Sequence, residues 1–242
     1  MTIVLARKLS CGALLNEEDA ALLDRLASPV LTADAHQDIQ VEGEPARSLC
    51  VILSGWACRY KQLDDGRRQI ISLLLPGDLG APFGVLPRVM DHSIGALTPI
   101  RFARIRPNEI RAIAAANPRV EAALWWDMLV QGAIQQELAV SLGRRQANER
   151  LAHFLCEIQV RLDRVGLADG SSFELPLTQV QIADALGLTP VHVNRTLRDL
   201  RAADLVAWRR GQVTILQPSA LRALAVFDPS YLHFDRLEVD GG

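Results

Sequence analysis

Residues 178–201 predict two short amphipathic helices joined by a tight turn. Thr178 is placed to cap the first helix, and Thr189 followed by Pro190 is placed to open the second, where a missing N–H costs nothing. Gly187 lies where the chain must reverse, a position that favours a residue free to adopt positive φ. The apolar residues on or beside one face of the first helix are Val180, Ile182, Ala183 and Leu186.

The second helix separates an apolar stripe from a polar surface. Val193, Leu197 and Leu200 share one face at the i, i+4, i+7 spacing. Val193 also belongs to a set of fixed offsets with Ala183 and Gly187: a small residue lets two helices approach, glycine makes the turn and a β-branched residue seals the crossing. These offsets match a helix-turn-helix. The alternative is an ordinary helical hairpin with a solvated basic face.

A helix-turn-helix leaves the outer face of its second helix free to enter a DNA major groove. Arg195 can bind guanine O6 and N7 in bidentate fashion, and Asn194 or His192 can reach a base edge or a phosphate. The following residues, Leu205–Leu216, read as a β-hairpin that turns near Arg210. The unit is therefore predicted to be a winged helix. The residues expected to contact double-stranded DNA are Thr178, Gln179, Thr189, Pro190, Val191, His192, Asn194, Arg195, Arg198, Arg209 and Arg210.

Charge is distributed in a way that supports this interpretation. The formal net charge is only −2, but residues 189–210 contain five arginines and two aspartates. A small basic face is sufficient for a sequence-specific dimer, since each subunit covers one half-site.

The composition also limits the class of protein. The chain has 242 residues, of which 49% are hydrophobic and 22% charged, so it is globular with room for two domains. It has no apolar run of about eighteen residues and no secretory signal, so we expect a cytoplasmic protein without a membrane partner. The four cysteines lack metal-ligand spacing and are expected to be reduced thiols: Cys11, Cys50, Cys58 and Cys156.

The region from about Thr32 to Arg106 is rich in short β-type runs separated by glycine-containing turns, which predicts an antiparallel barrel or jelly roll with an interior pocket. A short helix ending at about Leu26 precedes it, opened by Asn16 and an acidic first turn. The predicted strands are Leu49–Leu53, Ala57–Gln62, Gln69–Leu74 and Ile100–Ile105.

A long helix is predicted from about Arg119 to Ser141, with apolar residues on more than one face. Such a helix needs two partners, here the barrel and a second copy of itself. The residues expected on the dimer side are Leu124, Met128, Gln131, Gln135 and Leu138. Residues Leu142–Gln146 are expected to form a hinge before a further helix at 147–164, and the tail from Phe227 shows no periodicity.

The fold class is therefore predicted to be α+β. The expected domains are N-terminal helices and a β-barrel sensor at 1–116, a dimerisation helix at 117–143, and a DNA-binding winged helix-turn-helix at 144–242.

This order of elements resembles the Crp/Fnr superfamily of bacterial transcription regulators. Besides the winged helix, the resemblance rests on four motifs in order: Gly43-Glu44, Leu53-Ser54-Gly55, Asp65-Gly66-Arg67-Arg68-Gln69-Ile70 and Pro76-Gly77-Asp78. It implies a cytoplasmic homodimer that binds a palindromic operator, is controlled through the barrel, and recruits or blocks RNA polymerase. No Ser/His/Asp set, metal cluster or phosphate-binding loop is present in a supporting context, so we expect no enzyme activity.

Departures from the family bear on the effector. Where cyclic-AMP-binding members carry a glutamate and an arginine, this chain has Pro82 and His92, although Ser93 keeps the serine. A phosphate site without its arginine loses a bidentate, permanently charged donor, so control by cyclic AMP is not expected. Phe83 and its apolar neighbours suit a hydrophobic effector or a filled core. The tentative effector pocket is therefore Pro82, Phe83, His92 and Ser93, with the effector itself unknown.

An iron–sulfur cluster or haem would require protein ligands at specific positions. The region that holds an iron–sulfur cluster in oxygen-sensing members contains only Cys11, so no cofactor is predicted. Haem needs a single axial ligand, for which His36, His92 and His153 are present. The alternative function is therefore a cyclic-nucleotide or haem/gas sensor whose DNA binding depends on ligand. In the second helix, Val191 replaces the family's glutamate, which points to a different operator.

Overall fold

The computed structural model describes residues 4–81 and 87–234. Contacts divide the chain into two compact units. The first contains residues 1–61, 72–133 and 232–242, and the second contains residues 62–71 and 134–231.

The first unit opens with two helices, α1 (Val4–Leu9) and α2 (Glu17–Leu26). The Asn16 side chain accepts a hydrogen bond from the Asp19 backbone N–H at 2.8 Å, and the Asp19 carboxylate accepts one from the Asn16 N–H at 3.0 Å. This reciprocal pair satisfies two donors that the first turn would otherwise leave unpaired. It confirms the predicted start of α2.

Seven strands follow and form two antiparallel sheets with the orders β1-β7-β3 and β2-β6-β4-β5. A core cluster draws residues from both sheets, Cys50 and Phe102 from the first and Leu74 and Ile94 from the second, so the sheets pack together. The strands are β1 (Val30–Ala33), β2 (Asp38–Gln40), β3 (Leu49–Ser54), β4 (Ala57–Gln62), β5 (Arg68–Leu74), β6 (Ser93–Ala96) and β7 (Ile100–Ile105).

The predicted α+β fold class is confirmed, and of the two expected arrangements, a barrel or a jelly roll, the described residues show no closed barrel. Within the described ranges the edge strands are β1 and β3 in one sheet and β2 and β5 in the other, and no ladder joins an edge of one to an edge of the other. The strands have three to seven residues. The seven strands therefore form two sheets that pack face to face.

A buried ion cluster joins α1 to the turn after β5 and to the long helix. The Lys8 ammonium pairs with Asp78 and lies 2.6 Å from the Asp127 carboxylate. Burial opposes the charged form of Lys8, but the carboxylates of Asp127 and Asp78 outweigh it and raise its pKa. Asp78 also accepts a hydrogen bond from the Leu75 N–H at 2.7 Å, which fixes the Pro-Gly-Asp turn.

Two helices connect the sheets to the C-terminal part of the chain: α3 (Pro107–Ala116) and α4 (Pro118–Arg144). The segment Leu142–Gln146, which was expected to be a hinge, is helical up to Arg144, where α4 ends, and α5 (Ala147–Arg164) begins three residues later. None of the helices in the described part of the chain combines the length and the apolarity needed to span a membrane.

The second unit contains α5, the two helices α6 (Gln179–Leu186) and α7 (Pro190–Ala202), and α8 (Pro218–Ala225). Its sheet has the order β10-β11-β9-β8. The strands are β8 (Ala168–Asp169), β9 (Ser172–Glu174), β10 (Val206–Arg209) and β11 (Gln212–Ile215).

The first part of the C-terminal tail, where no periodicity was found in the sequence, packs on α5. The His153 ring is stacked on Tyr231 with the centroids 6.0 Å apart and meets the edge of Phe227 at 5.1 Å. The Tyr231 hydroxyl donates a hydrogen bond to the Glu157 carboxylate at 2.8 Å. Tail aromatics therefore complete the core of this unit around a buried histidine.

We expect His153 to make the folded state less stable in acid. Burial and the nearby Arg145 cation lower the pKa of His153 to about 4, from an ordinary value of 6.5. The unfolded chain therefore binds more protons between these values, and the free energy of unfolding falls as the pH drops from about 6.5 to about 4. The loss from this one group is at most about 3 kcal/mol. Chemical denaturation across this pH range measures it.

The His153→Gln variant should lose this component of the pH dependence, whereas His36→Asn, at an exposed histidine, should keep it. An unchanged acid slope in His153→Gln would contradict the assignment.

Candidate nucleic-acid interface

Both helices of the predicted helix-turn-helix begin at their predicted caps. The Thr178 hydroxyl accepts from the Gln181 N–H at 3.2 Å, and the Gln181 side chain accepts from the Thr178 N–H at 2.8 Å. The Thr189 hydroxyl accepts from the His192 N–H at 3.2 Å. Gly187 ends α6 in the left-handed region, with φ of 61°. A Cβ on this glycine would lie 2.8 Å from Leu142 Cδ2, so Leu142 would have to shift, and the positive φ is itself strained for a residue with a side chain.

The packed side of the pair is close to the predicted one. Val193, Leu197 and Leu200 are buried, as are Ile182 and Ala183. The placement of Val180 on the buried face is a correction, because its side chain is 55% exposed. Val180 precedes Ile182 by two residues, a rotation of about 200° around the helix, so it faces away from α7.

The residues predicted to contact DNA are all exposed and lie on α6 and α7, at their N-caps, and at the end of β10 and the turn that follows it. Arg195 has no hydrogen bond or ion pair with any other described residue, so its guanidinium donors are available to a ligand. The Asn194 amide donates to the Gln179 side-chain oxygen at 3.2 Å. This bond ties the first residue of α6 to α7 and fixes the direction in which Asn194 points.

The predicted wing is formed by β10 and β11, which pair with Arg209 opposite Gln212. Arg210 and Gly211 make the turn with φ of 52° and 81°, and two consecutive positive φ angles are what a two-residue hairpin requires. Arg201 was not among the predicted site residues. Its guanidinium donates to the Trp208 carbonyl at 3.1 Å and so attaches the wing to the end of α7.

Of the four residues of the predicted effector pocket, the structure describes His92 and Ser93. Pro82 and Phe83 lie outside the described residues. Ser93 is buried, and its hydroxyl accepts a hydrogen bond from the Glu42 N–H at 3.0 Å. The His92 imidazole lies 2.7 Å from the Asp91 carboxylate, and the bond to His92 lowers the pKa of Asp91. A carboxylate therefore lies beside the position where related sites hold a phosphate.

The residues of α4 that were predicted to lie on the dimer side differ in burial. Leu124 is 1% exposed and belongs to the core of the first unit, so its side chain is not available to a second copy. Gln135 donates a hydrogen bond to the Ile71 carbonyl at 2.7 Å, and Met128, Gln131 and Leu138 are half-buried. The exposed large apolar side chains of α4 that were not predicted on the dimer side are Trp125, at 54%, Leu129, at 48%, Val140, at 45%, and Leu142, at 37%.

Comparison with known families agrees with this architecture. Residues 30–117 match the cyclic nucleotide-binding domain, and residues 149–224 match the Crp-like helix-turn-helix domain. All seven strands from β1 to β7 lie in the first match, and α6 and α7 lie in the second.

Similar proteins are regulators. The nitrogen fixation regulation protein FixK of Azorhizobium caulinodans is 30% identical over 207 residues, which cover 85% of this chain and 82% of that protein. The transcriptional activatory protein AadR of Rhodopseudomonas palustris is 35% identical over 191 residues, 76% of each chain. The structure of FixK2 from Bradyrhizobium japonicum superposes with a TM-score of 0.71 at 27% identity, covering 82% of this chain and 98% of that one. The chain belongs to the Crp/Fnr family of DNA-binding transcription regulators.

Proposed function

We propose that the protein binds a palindromic operator as a homodimer, with α7 of each copy in the major groove of one half-site. The observation that carries the proposal is the exposed face of α7, on which Arg195 has its donors available. Arginine in a major groove reads guanine O6 and N7. The exposed Val191 side chain is suited to a thymine methyl group. The protein acts by binding and not by catalysis, in the cytoplasm, where it recruits or blocks RNA polymerase.

The second copy is proposed to pack against the exposed side of α4. Trp125, Leu129 and Val140 are exposed there, with Gly132 and Gln136 between them. These residues follow one another at spacings of three or four and therefore share one helical face. An apolar face of this kind is stabilised by burial against a partner, and a parallel pair of α4 helices gives the two-fold symmetry that a palindrome requires.

Control through the sensor domain is proposed to act without cyclic AMP. The serine that would bind the cyclic phosphate accepts a backbone hydrogen bond from Glu42, and Asp91 adds a negative charge beside His92. Repulsion between a carboxylate and a phosphate disfavours this ligand. A ligand-dependent sensor of haem or a gas, with DNA binding secondary, is the second candidate, and the partly buried His92 is the histidine of the predicted effector pocket that would serve it.

Cyclic AMP at 1 mM is expected to leave the unfolding temperature of the full-length protein unchanged. A ligand bound at about a hundred times its Kd would stabilise the fold by about 2.7 kcal/mol and raise the midpoint by several degrees. Thermal unfolding with and without the nucleotide measures this, and operator DNA is the positive control. A rise of several degrees with cyclic AMP would overturn the proposed effector class.

Arg209→Ala and Arg210→Ala are expected to weaken binding to all DNA sequences by a similar factor. Wing-tip arginines contact phosphates, so each variant should also reduce the slope of log K against log salt by about one per half-site. Fluorescence anisotropy with operator and random duplexes over a salt series gives both quantities. A change in the preferred sequence would contradict the phosphate assignment.

A further inference from the structure

The hairpin between β4 and β5 contacts the helix-turn-helix. Residues 62–71 belong to the second unit, together with α6 and α7. The Gln69 amide donates to the Ala185 carbonyl at 3.3 Å as well as to the Ile70 carbonyl at 2.9 Å. The Arg68 guanidinium lies 3.9 Å from the Asp184 carboxylate. Both partners are in the last turn of α6.

This turn of α6 needs outside partners. The final carbonyls of a helix have no N–H within the helix to bond. Gln69 supplies a donor to the Ala185 carbonyl, and the Arg150 guanidinium donates to the Leu186 carbonyl at 2.6 Å. The end of α6 is therefore held by two side chains that come from other elements.

Arg68 of the hairpin lies beside Asp184, a carboxylate in the last turn of α6. A carboxylate near the C-terminus of a helix is disfavoured by the partial negative charge of the exposed carbonyls there. Burial raises the pKa of Asp184, and the Arg68 cation acts in the opposite direction. Arg68 therefore offsets a negative charge at the point where α6 passes into the Gly187 turn that leads to α7.

We propose that Arg68 and Gln69 are positioning residues for DNA binding, which fix the end of α6 and thereby the direction in which α7 leaves the turn. The inference rests on the proposed role of α7 as the reading helix. It makes the β4–β5 hairpin a component of the DNA-binding unit. Arg68 acts through Asp184, and Gln69 through Ala185.

The test is the Kd of full-length variants between 50 and 200 mM salt. Two DNA molecules are compared: an operator that the wild type has selected from a random duplex library, and a duplex of random sequence. Arg68→Ala and Gln69→Ala are each expected to weaken operator binding by about five- to tenfold, the size of one or two lost hydrogen bonds. The salt slope should stay unchanged, because no phosphate contact is lost. Arg67→Ala is the matched control: its guanidinium is exposed and pairs with Asp65 at 2.8 Å, so its Kd should change by less than about twofold.

The Asp184→Ala variant distinguishes the proposed positioning of α6 from a purely electrostatic effect of this carboxylate on DNA binding. Removing a negative charge near DNA should tighten binding if charge alone matters. Positioning predicts weaker binding, by about threefold, and no additional loss when Asp184→Ala is combined with Arg68→Ala. Tighter binding by Asp184→Ala, or a salt slope lowered by about one per half-site in Arg68→Ala, would overturn the inference and mark Arg68 as a phosphate contact.

Two further results keep folding and function apart. Gln69→Glu preserves the size of the side chain but replaces the donor with an acceptor, so it should weaken binding at least as much as Gln69→Ala, with an unfolding temperature close to that of the wild type. If the wild type binds its operator and both Gln69 variants bind it equally well, the positioning role is wrong. If the wild type selects no operator, the proposed function itself fails.

Discussion

Arg195→Ala is expected to weaken operator binding by about tenfold to a hundredfold and to abolish the preference for one G·C pair in each half-site. The guanidinium is exposed on α7 without a partner among the described residues, so it reaches DNA with its donors available. A bidentate contact to guanine discriminates by about 1–3 kcal/mol. Anisotropy titrations with the operator and with duplexes substituted at each position measure both effects.

Two variants serve as controls for this prediction. Arg195→Lys keeps the positive charge but cannot form the bidentate contact to guanine. It should therefore retain binding to random duplexes while losing the preference for the G·C pair. Arg222→Ala removes an exposed arginine from α8 of the same unit, outside the predicted face, and should leave the preferred sequence unchanged. An Arg195→Ala protein with the wild-type sequence preference would show that α7 does not read the operator through this residue.

Leu129→Arg is expected to convert the proposed dimer into monomers and to weaken operator binding by at least a hundredfold. Its side chain is about half exposed on α4 in the single chain, so the substitution leaves that chain's own core intact. In the dimer it would bury an unpaired charge in an apolar contact. A monomer then binds one half-site alone and loses the increase in effective concentration that a second, linked DNA-binding domain provides. Sedimentation or light scattering gives the mass, and anisotropy gives the affinity.

Leu14→Arg is the matched control, since Leu14 is a more exposed leucine outside α4 and should leave the mass unchanged. A Leu129→Arg protein that remained a dimer would exclude this face of α4 as the contact between copies.

The elements that local signals specify could be predicted from the sequence. The threonine caps at Thr178 and Thr189, the proline at the first position of α7 and the left-handed glycine at 187 each act within a few residues. Their hydrogen bonds lie in the same turn as the residue that makes them, so the boundaries of α6 and α7 follow from the chain itself.

Other parts depend on contacts that the local sequence does not encode. In α4, apolar residues lie around most of the helix, and only the finished core shows that Leu124 is inside and Trp125 outside. Strand β6 consists of small and apolar residues that are all buried, without alternation, and β1 is mostly exposed, so neither gives a period of two. The bond from Gln69 to Ala185 spans 116 positions, which no local pattern can indicate.

Contacts between distant residues of the first unit could not be predicted from the sequence either. The sequence identified Ser93 as the residue that would keep a phosphate contact, but the fold places Glu42 against it from 51 positions away. The turn motif containing Asp78 could be predicted, whereas its ion cluster with Lys8 and Asp127 depends on how α1 and α4 pack.

Selection of binding sites from a random duplex library, with purified wild-type protein and Arg195→Ala in parallel, tests whether α7 reads a palindromic operator through Arg195. The wild type should enrich two inverted half-sites about ten base pairs apart. In the variant, the same G·C pair in each half-site should lose its preference. Enrichment of a sequence without two-fold symmetry, or of one identical palindrome by both proteins, would contradict it.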